Sequence, residues 1–273
     1  MSTTWRGAPE PEMRQLGLSD WLRIILRGAP LLLLLGICFP LLLLLRPPER
    51  MIWGLRRPFT PFITQFVCIW ACRLVGLRRR TSGRPMVRPG AFVANHVSWL
   101  DVFVLNAGLR MYFVAKAEVS GWAGIGWLAR GTGTLFIRRD RAEAAAQTRL
   151  FEDRLSAGHH LLFFPEGTST DGKRVLPFKT TLFAAFFSDH LPDDIAIQPV
   201  TLRYTAPPGT HPRHYGWWGS MEFGGSLLQV LATPGRGNVE VVYHAPIDVA
   251  ASGGRKALAA AAEEAVRAGL TED

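Results

Sequence analysis

The 273-residue chain has few cysteines, and they form no recognisable framework. Cys38, Cys68 and Cys72 stand in apolar surroundings, and three is an odd number. Cys68 and Cys72 are four residues apart, which is the spacing of two small apolar side chains on one helix face. The pattern contains no metal-ligand spacing and gives no reason to expect an oxidising compartment. We therefore predict no metal site and require no disulfide.

The chain also lacks the loops that bind nucleotides. Gly121, Gly124 and Gly126 do not fit the dinucleotide-binding fingerprint, and no Gly-Lys-Ser/Thr phosphate loop occurs. No serine or cysteine lies in a nucleophile-elbow context. We therefore predict no nucleotide cofactor and no covalent intermediate on a serine or cysteine.

Lysine is missing from residues 1–90, yet this third of the chain holds the positive charge. It contains fourteen arginines and four acidic residues, which gives +10, while the remainder has 17 basic and 18 acidic residues. Arginines interleaved with Leu, Trp and Phe suit the anionic surface of a bilayer. A nucleic-acid-binding stripe is the alternative, but no recognisable motif of that kind is present. We therefore predict membrane association for residues 1–90.

Three apolar segments in this third predict helices, one at the membrane surface and two embedded in the membrane. Leu16 to Leu26 is consistent with an interfacial helix, and Gly28 to Leu45 is an uncharged run of 18 residues. As a helix the run would be about 27 Å long, just short of a ~30 Å hydrocarbon core. Pro40 favours a kink or break within it. Pro61 to Leu77 supplies a second apolar helix, which Arg78 to Arg80 would close.

The flanks of the first run decide between three interpretations. A secretory signal is rejected because the run ends in Arg46-Pro-Pro-Glu-Arg50 rather than in a small-residue cleavage site. Arginines lie on both sides, so the positive-inside rule selects no orientation for a single span. Similar charge on both flanks favours a helical hairpin in one leaflet, with a single span as the alternative. The first fifteen residues, with Pro9 and Pro11, are predicted to form a loose tail.

From residue 91 onward, strand and helix patterns alternate. Residues 82–90 form a turn-rich linker, so we predict a boundary between an N-terminal region, 1–90, and a body, 91–273. The alternation predicts a single α/β domain with a mostly buried sheet flanked by helices. Strands are expected at 91–94, 111–115, 134–137, 160–164, 195–202 and 239–244, and helices at 101–108, 142–157, 180–187 and 255–268.

A histidine and an aspartate follow the first of these predicted strands. Strand 91–94 stops at Asn95-His96, and Ser98 with Asp101 predicts a capping box that opens the next helix. A strand-to-helix turn lets the Asp101 carboxylate reach back to the His96 imidazole, and such a pair makes a general base. In the alternative interpretation Asp101 only caps the helix and His96 is a turn residue.

Further polar residues follow other strands in a characteristic order. Lys116 and Arg139 follow two predicted strands, and Glu166-Gly167-Thr168 follows another; each alone fits an ordinary turn. Together they resemble, over roughly residues 90–202, the four motif blocks of the 1-acylglycerol-3-phosphate acyltransferase family. The blocks are Asn95-His96-x4-Asp101, Phe136-Ile137-Arg138-Arg139, Phe164-Pro165-Glu166-Gly167-Thr168 and Gln198-Pro199-Val200.

The resemblance implies a glycerolipid-acyltransferase-like domain at the cytoplasmic face of a bacterial-type inner membrane. It implies that a fatty acyl group moves from a thioester, on acyl carrier protein or coenzyme A, to a lysolipid hydroxyl. By the same resemblance His96 is the general base and Asp101 orients it, both catalytic. Substrate-binding residues are then Lys116, Arg139, Glu166, Gly167 and Thr168. Arg139 and Lys116 would contact the acceptor's anionic head, Glu166 and Thr168 would help to bind it, and backbone N–H groups around Gly167 are candidates for stabilising the oxyanion.

Two departures from the family pattern bear on the acceptor. Arg138 stands where the second block usually has an acidic residue, and Ser169 stands where the third often has an arginine. An arginine there would be a fork-shaped ligand for phosphate, and this chain lacks it. In this respect, and in its segment Tyr215 to Met221, the chain is more similar to the lyso-ornithine lipid acyltransferase branch of the family. Lysophosphatidate is the second acceptor. A lipid hydrolase or thioesterase and a non-enzymatic lipid-binding protein are the competing functions.

Overall fold

The structure is a computed structural model, and it describes residues 4–138, 144–192 and 194–271. Within these ranges the body is a mixed sheet of eight strands in the order β1-β7-β6-β2-β5-β3-β4, with β8 paired to β6. The strands are β1 (Leu77–Ser82), β2 (Gly90–Ala94), β3 (Tyr112–Lys116), β4 (Leu135–Ile137), β5 (Leu161–Phe163), β6 (Ala196–Thr205), β7 (Gly237–Tyr243) and β8 (Ile247–Asp248). The predicted α/β fold with helices around the sheet is confirmed.

Helices cover both faces of this sheet. They are α1 (Leu18–Trp53), α2 (Thr60–Leu74), α3 (Leu100–Gly108), α4 (Ile125–Thr132), α5 (Ala144–Ser156), α6 (Phe223–Ala232) and α7 (Arg255–Thr271). In β2, Phe92 and Ala94 belong to the core cluster under α3, while Ala91 and Val93 belong to the cluster under α7. Successive side chains of a strand point to opposite faces. The central strand is therefore buried on both sides.

The parallel strands bring their carboxyl ends to one edge of the sheet. β2 runs parallel to β5 and β6, and β5 runs parallel to β3. The segments that follow β2, β5 and β3 therefore emerge together, as the carboxyl ends of parallel strands do. We call this side the carboxyl edge.

The first helix is continuous across Pro40, where the sequence predicted a kink or a break. α1 runs 36 residues through Pro30 and Pro40, and it includes the segment predicted as a separate interfacial helix. Proline removes one backbone donor but allows a helix to continue with a kink. Phe39 and Leu42, on either side of Pro40, are buried, and Phe39 packs edge-on against Trp127 of α4. Tertiary packing therefore holds the helix together across the proline.

α1 and α2 pack against each other as a helical pair. Glu49, 2% exposed, accepts hydrogen bonds from the Thr60 hydroxyl (2.6 Å) and from the backbone N–H groups of Phe59 (2.8 Å) and Thr60 (3.0 Å). The end of α1 thus supplies partners for the free N–H groups that begin α2. α1 is long and apolar enough to cross a membrane by length and composition. Hairpin insertion in one leaflet and a full span both stay predictions.

The sheet begins before the predicted boundary at residue 90. Leu77 to Ser82 form β1, which pairs in parallel with β7, so Arg78 to Arg80 belong to a strand rather than to the end of a helix. β1 is an edge strand, and exposed edge strands carry charged side chains. Its arginines hide the apolar alternation by which strands are recognised in sequence.

The N-terminal segment is not the loose tail that its prolines predicted. The Trp5 backbone N–H donates to the Thr168 hydroxyl (3.3 Å), and the Trp218 indole donates to the Ala8 carbonyl (3.2 Å). The Trp5 and Trp218 rings lie 6.2 Å apart. This segment therefore lies against the turn that follows β5.

Candidate active site

Asn95 fixes the turn that carries His96. Its side-chain amide donates to the Leu202 carbonyl (3.1 Å) and accepts from the Leu202 N–H (2.8 Å). Asn95 is fully buried, and this paired contact extends the pairing of β2 with β6 by one side chain. The turn therefore leaves the sheet from a defined position.

His96 and Asp101 meet as the strand-to-helix turn predicted. His96 Nδ1 lies 2.7 Å from Asp101 Oδ2, and the same oxygen accepts the backbone N–H groups of Val97 (2.8 Å) and Ser98 (3.0 Å). Asp101 is fully buried, whereas the His96 side chain is 21% exposed. The imidazole also stacks on the Phe164 ring, with centroids 4.0 Å apart and planes at 11°. Nε2 is the ring nitrogen that this contact leaves for a substrate.

Tyr204 contacts Asp101 and was not predicted from the sequence. Its hydroxyl donates to Asp101 Oδ1 (2.8 Å) from near the end of β6. Burial and the Asp101 charge raise the pKa of Tyr204 well above its ordinary value, so the hydroxyl stays protonated and keeps its donor. The signal available in sequence was its position on β6, four residues after the Gln198-Pro199-Val200 block.

Glu166 faces the protein backbone rather than an open binding surface. It is 1% exposed, its Oε1 accepts the His96 N–H (2.7 Å), and its Oε2 accepts the Leu176 N–H (2.8 Å). Burial raises the pKa of Glu166 to about 8, although both N–H donors oppose the shift. Glu166 thus holds the backbone of the segment 95–101, which we call the His96 turn. Its help in binding the acceptor stays a prediction.

Gly167 allows the turn after β5 but does not offer its own amide. Its φ of +74° lies in the left-handed region that favours glycine. The Gly167 N–H already donates to the Phe164 carbonyl (3.0 Å), so it is not available among the backbone N–H groups around Gly167 that are predicted to stabilise an oxyanion. Within the described part of the chain, the next amide, that of Thr168, donates to no group.

The other predicted ligands are only partly placed. Thr168 lies between Glu166 and Thr170, which both contact the His96 turn, and its hydroxyl accepts the Trp5 N–H. Lys116 ends β3 at the carboxyl edge, next to the strand that leads to Phe164. Arg139 lies outside the described residues. In the described ranges, no group of three or more His, Cys, Asp or Glu residues is arranged to hold a metal ion.

Two further segments hold the His96 turn in place. The Thr170 N–H donates to the His96 carbonyl (2.9 Å), and the Trp217 N–H donates to the Val97 carbonyl (2.9 Å). The Ser169 hydroxyl in turn donates to the Trp217 carbonyl. Ser169 and the Tyr215 to Met221 segment, both singled out in the sequence, thus belong to the same site.

Comparison with known proteins identifies the family. The chain is 54% identical over 266 residues to the lyso-ornithine lipid O-acyltransferase of Rhodobacter capsulatus, which covers 97% of this chain and 96% of that protein. The chain belongs to the acyltransferase family. The family model named Acyltransferase matches residues 76–203 of this acyltransferase, a range that contains the whole His96 to Glu166 constellation. The predicted resemblance and enzyme class are confirmed.

Two other comparisons give a relative that is named for a different acceptor and a solved structure with the same fold. A 1-acyl-sn-glycerol-3-phosphate acyltransferase of Neisseria gonorrhoeae is 30% identical over 66% of the acyltransferase chain and 69% of its own. The crystal structure of the 1-acyl-sn-glycerophosphate acyltransferase PlsC from Thermotoga maritima superposes with a TM-score of 0.62, at 20% identity, over 93% of this chain and 94% of that one. At that identity the likeness shows the fold alone.

Proposed function

We propose that this acyltransferase moves a fatty acyl group from an acyl thioester to the hydroxyl of lyso-ornithine lipid. 1-Acylglycerol-3-phosphate is the second acceptor, favoured by the Neisseria relative. The observation that carries the chemistry is the contact between His96 Nδ1 and a fully buried Asp101. An alcohol attacks a thioester well only if its proton is removed during the attack, which this pair is built to do.

In the proposed reaction, His96 Nε2 takes the proton of the acceptor hydroxyl as its oxygen attacks the thioester carbonyl. The tetrahedral intermediate collapses, the carbon–sulfur bond breaks, and the leaving thiolate takes this proton from the imidazolium. Asp101 stabilises the imidazolium and, with its three contacts on one oxygen, keeps the ring in place. Transfer is direct, without an acyl-enzyme.

The intermediate needs a donor for its oxyanion. We assign this role to the Thr168 N–H, because it follows the turn beside His96 and donates to no group within the described residues. Lys116 and Arg139 are proposed to contact the acceptor's anionic head. The donor is proposed to be acyl carrier protein or coenzyme A.

Ser169 supports the choice of acceptor. Its side chain is directed into the protein, to the Trp217 carbonyl, where an arginine would be a fork-shaped ligand for a phosphate monoester. An amino-acid head group has a single carboxylate and needs fewer cations. Lyso-ornithine lipid is therefore the better match.

The exposed apolar surface of α1 supports action at a membrane. Several leucines along the helix are more than half exposed, including Leu32 at 71% and Leu44 at 74%. We propose insertion of α1 into a bacterial-type inner membrane with the catalytic body on the cytoplasmic face. This location would deliver a lysolipid from the bilayer to the carboxyl edge.

The test offers the purified protein a labelled acyl thioester with lyso-ornithine lipid and lysophosphatidate side by side. We expect label mainly in lyso-ornithine lipid, loss of transfer in His96→Ala, and retention in the exposed matched variant His190→Ala. Release of free fatty acid without any acceptor would instead indicate a hydrolase. Full activity in His96→Ala would overturn the proposed mechanism.

A further inference from the structure

A pocket lies between α2, β1 and the end of α3. Its volume is about 730 Å³, and five of the residues around it are arginines: Arg73, Arg79 and Arg236, with Arg78 and Arg80, whose side chains leave β1 on the face opposite to Arg79. No aspartate or glutamate lines it among the residues that the structure describes. We call this cavity the arginine pocket. Its charge favours an anionic ligand, because arginine binds phosphate and carboxylate through paired hydrogen bonds.

The arginine pocket is separate from the His96 site. Arg79 pairs with Val239 of β7, and Val239 pairs with Tyr204 of β6. Two strand spacings place the Arg79 backbone about 10 Å from that of Tyr204. No catalytic residue lines the pocket, so the proposed acyl transfer leaves its charge without a role.

Arg79 is built into the wall of the pocket. Its Nε donates to the Val104 carbonyl of α3 (3.0 Å), and its guanidinium lies against Gly108, where an added Cβ would collide with it. The buried Tyr243 hydroxyl lies close to the Arg79 guanidinium: burial raises the pKa of Tyr243, and the Arg79 charge opposes this rise. A surface arginine would keep its rotamer freedom, whereas this one is held in place before any ligand arrives.

An exposed aromatic stripe leads from α2 to the pocket. Phe62, Phe66 and Trp70 follow each other at four-residue spacing and are 54%, 49% and 40% exposed. The Arg73 guanidinium, which lines the pocket, lies 4.9 Å from the Trp70 ring. Tryptophan beside arginine is the pattern found where a protein meets lipid head groups. A ligand with an anionic head and an apolar tail fits both surfaces at once.

We propose that the arginine pocket binds the phosphate group of an anionic membrane phospholipid whose acyl chain lies along the α2 aromatic stripe. The apolar side chains of Ile69, Leu77 and Ala107 line the pocket beside the arginines and would contact the glycerol end. Such a lipid is not consumed. It fixes the height and orientation of the catalytic body at the bilayer surface.

The test titrates the full-length protein in detergent with dioctanoyl phosphatidylglycerol and counts bound lipid by native mass spectrometry. We expect saturable binding that Arg73→Ala/Arg79→Ala/Arg236→Ala weakens by about tenfold or more. The control removes the same charge from exposed arginines elsewhere: Arg84→Ala/Arg149→Ala/Arg255→Ala. It should weaken binding by less than about twofold.

A second variant keeps every charge. Gly108→Ala should displace the Arg79 guanidinium, whose flexible end is what the new Cβ meets, and weaken lipid binding while the thermal midpoint is unchanged. Equal weakening by the control triple variant would overturn the proposal. So would inorganic phosphate or dioctanoylglycerol binding as tightly as the phospholipid. These measurements involve no acyl transfer, so their failure would leave the proposed function intact.

Discussion

Replacing Asp101 by asparagine should remove the charge of the pair without changing its geometry. Oδ2 faces three donors, the His96 ring and the backbone N–H groups of Val97 and Ser98, while Oδ1 faces only the Tyr204 hydroxyl. The asparagine oxygen must therefore take the Oδ2 position. Its NH2 group then donates to the Tyr204 oxygen, whose hydroxyl proton rotates away. His96 keeps its Nδ1–H, so only the stabilisation of the imidazolium is lost.

The size of this loss follows from Coulomb's law. Two unit charges about 4 Å apart interact by about 4 kcal/mol at an effective dielectric constant of about 20. Asp101 is fully buried, so little solvent screening reduces this value. Each 1.36 kcal/mol is about tenfold in rate, so Asp101→Asn should slow transfer by about 10³-fold. Asp101→Ala also removes the contact that orients the ring, and it should be slower still.

The assay is the initial rate of labelled acyl transfer at one pH and saturating acceptor. Asp189→Asn, at an exposed position, is the matched control, and circular dichroism melting checks the fold. A loss below about tenfold would show that the carboxylate charge is not used in the transition state. A loss as complete as that of His96→Ala would refute the inferred orientation of the amide.

Three other perturbations test separate parts of the structure. Tyr204→Phe removes a hydrogen bond to the buried Asp101 carboxylate and should lower the free energy of unfolding by about 1.5–3 kcal/mol in denaturant titrations. An unchanged free energy of unfolding would show that Asp101 does not need this donor. Burial raises the pKa of Glu166 to about 8, so between about pH 4.5 and pH 8 the native state holds a proton that the unfolded chain has lost, and the free energy of unfolding should fall as pH rises through this range. Glu166→Gln should flatten this fall in thermal melts, and an unchanged fall would show that another group causes it. Replacing the exposed α1 leucines Leu32, Leu33 and Leu44 by serine should reduce sedimentation of the protein with vesicles without lowering its thermal midpoint. Unchanged sedimentation would show that α1 is not the membrane contact.

The sheet was predictable where both faces of a strand are buried. β2, β5 and β6 read as apolar runs because the neighbouring helices cover them, and the structure has strands in all three places. β1 was missed because an edge strand can carry arginines. α1 continues through Pro40, where sequence shows the lost donor and predicts a kink or a break but does not show the packing of Phe39 on α4.

The candidate site was predictable to the extent that it is local in sequence. His96 and Asp101 lie in one turn, so their contact follows from chain geometry. Tyr204 and Glu166 reach this turn from other strands. Only the assembled sheet shows that the Tyr204 hydroxyl supports Asp101 and that the Glu166 carboxyl group holds the His96 backbone. For the same reason the spacing did not show that Gly167 has already used its amide.

The central claim is that the His96 imidazole removes the proton of a lysolipid hydroxyl. Its most direct measurement is single-turnover transfer from a labelled acyl thioester to lyso-ornithine lipid by the wild-type protein and by His96→Ala, both bound to vesicles. The account predicts labelled ornithine lipid from the wild type alone, with equal vesicle binding by the two proteins. Labelled product from His96→Ala at the wild-type rate would contradict it.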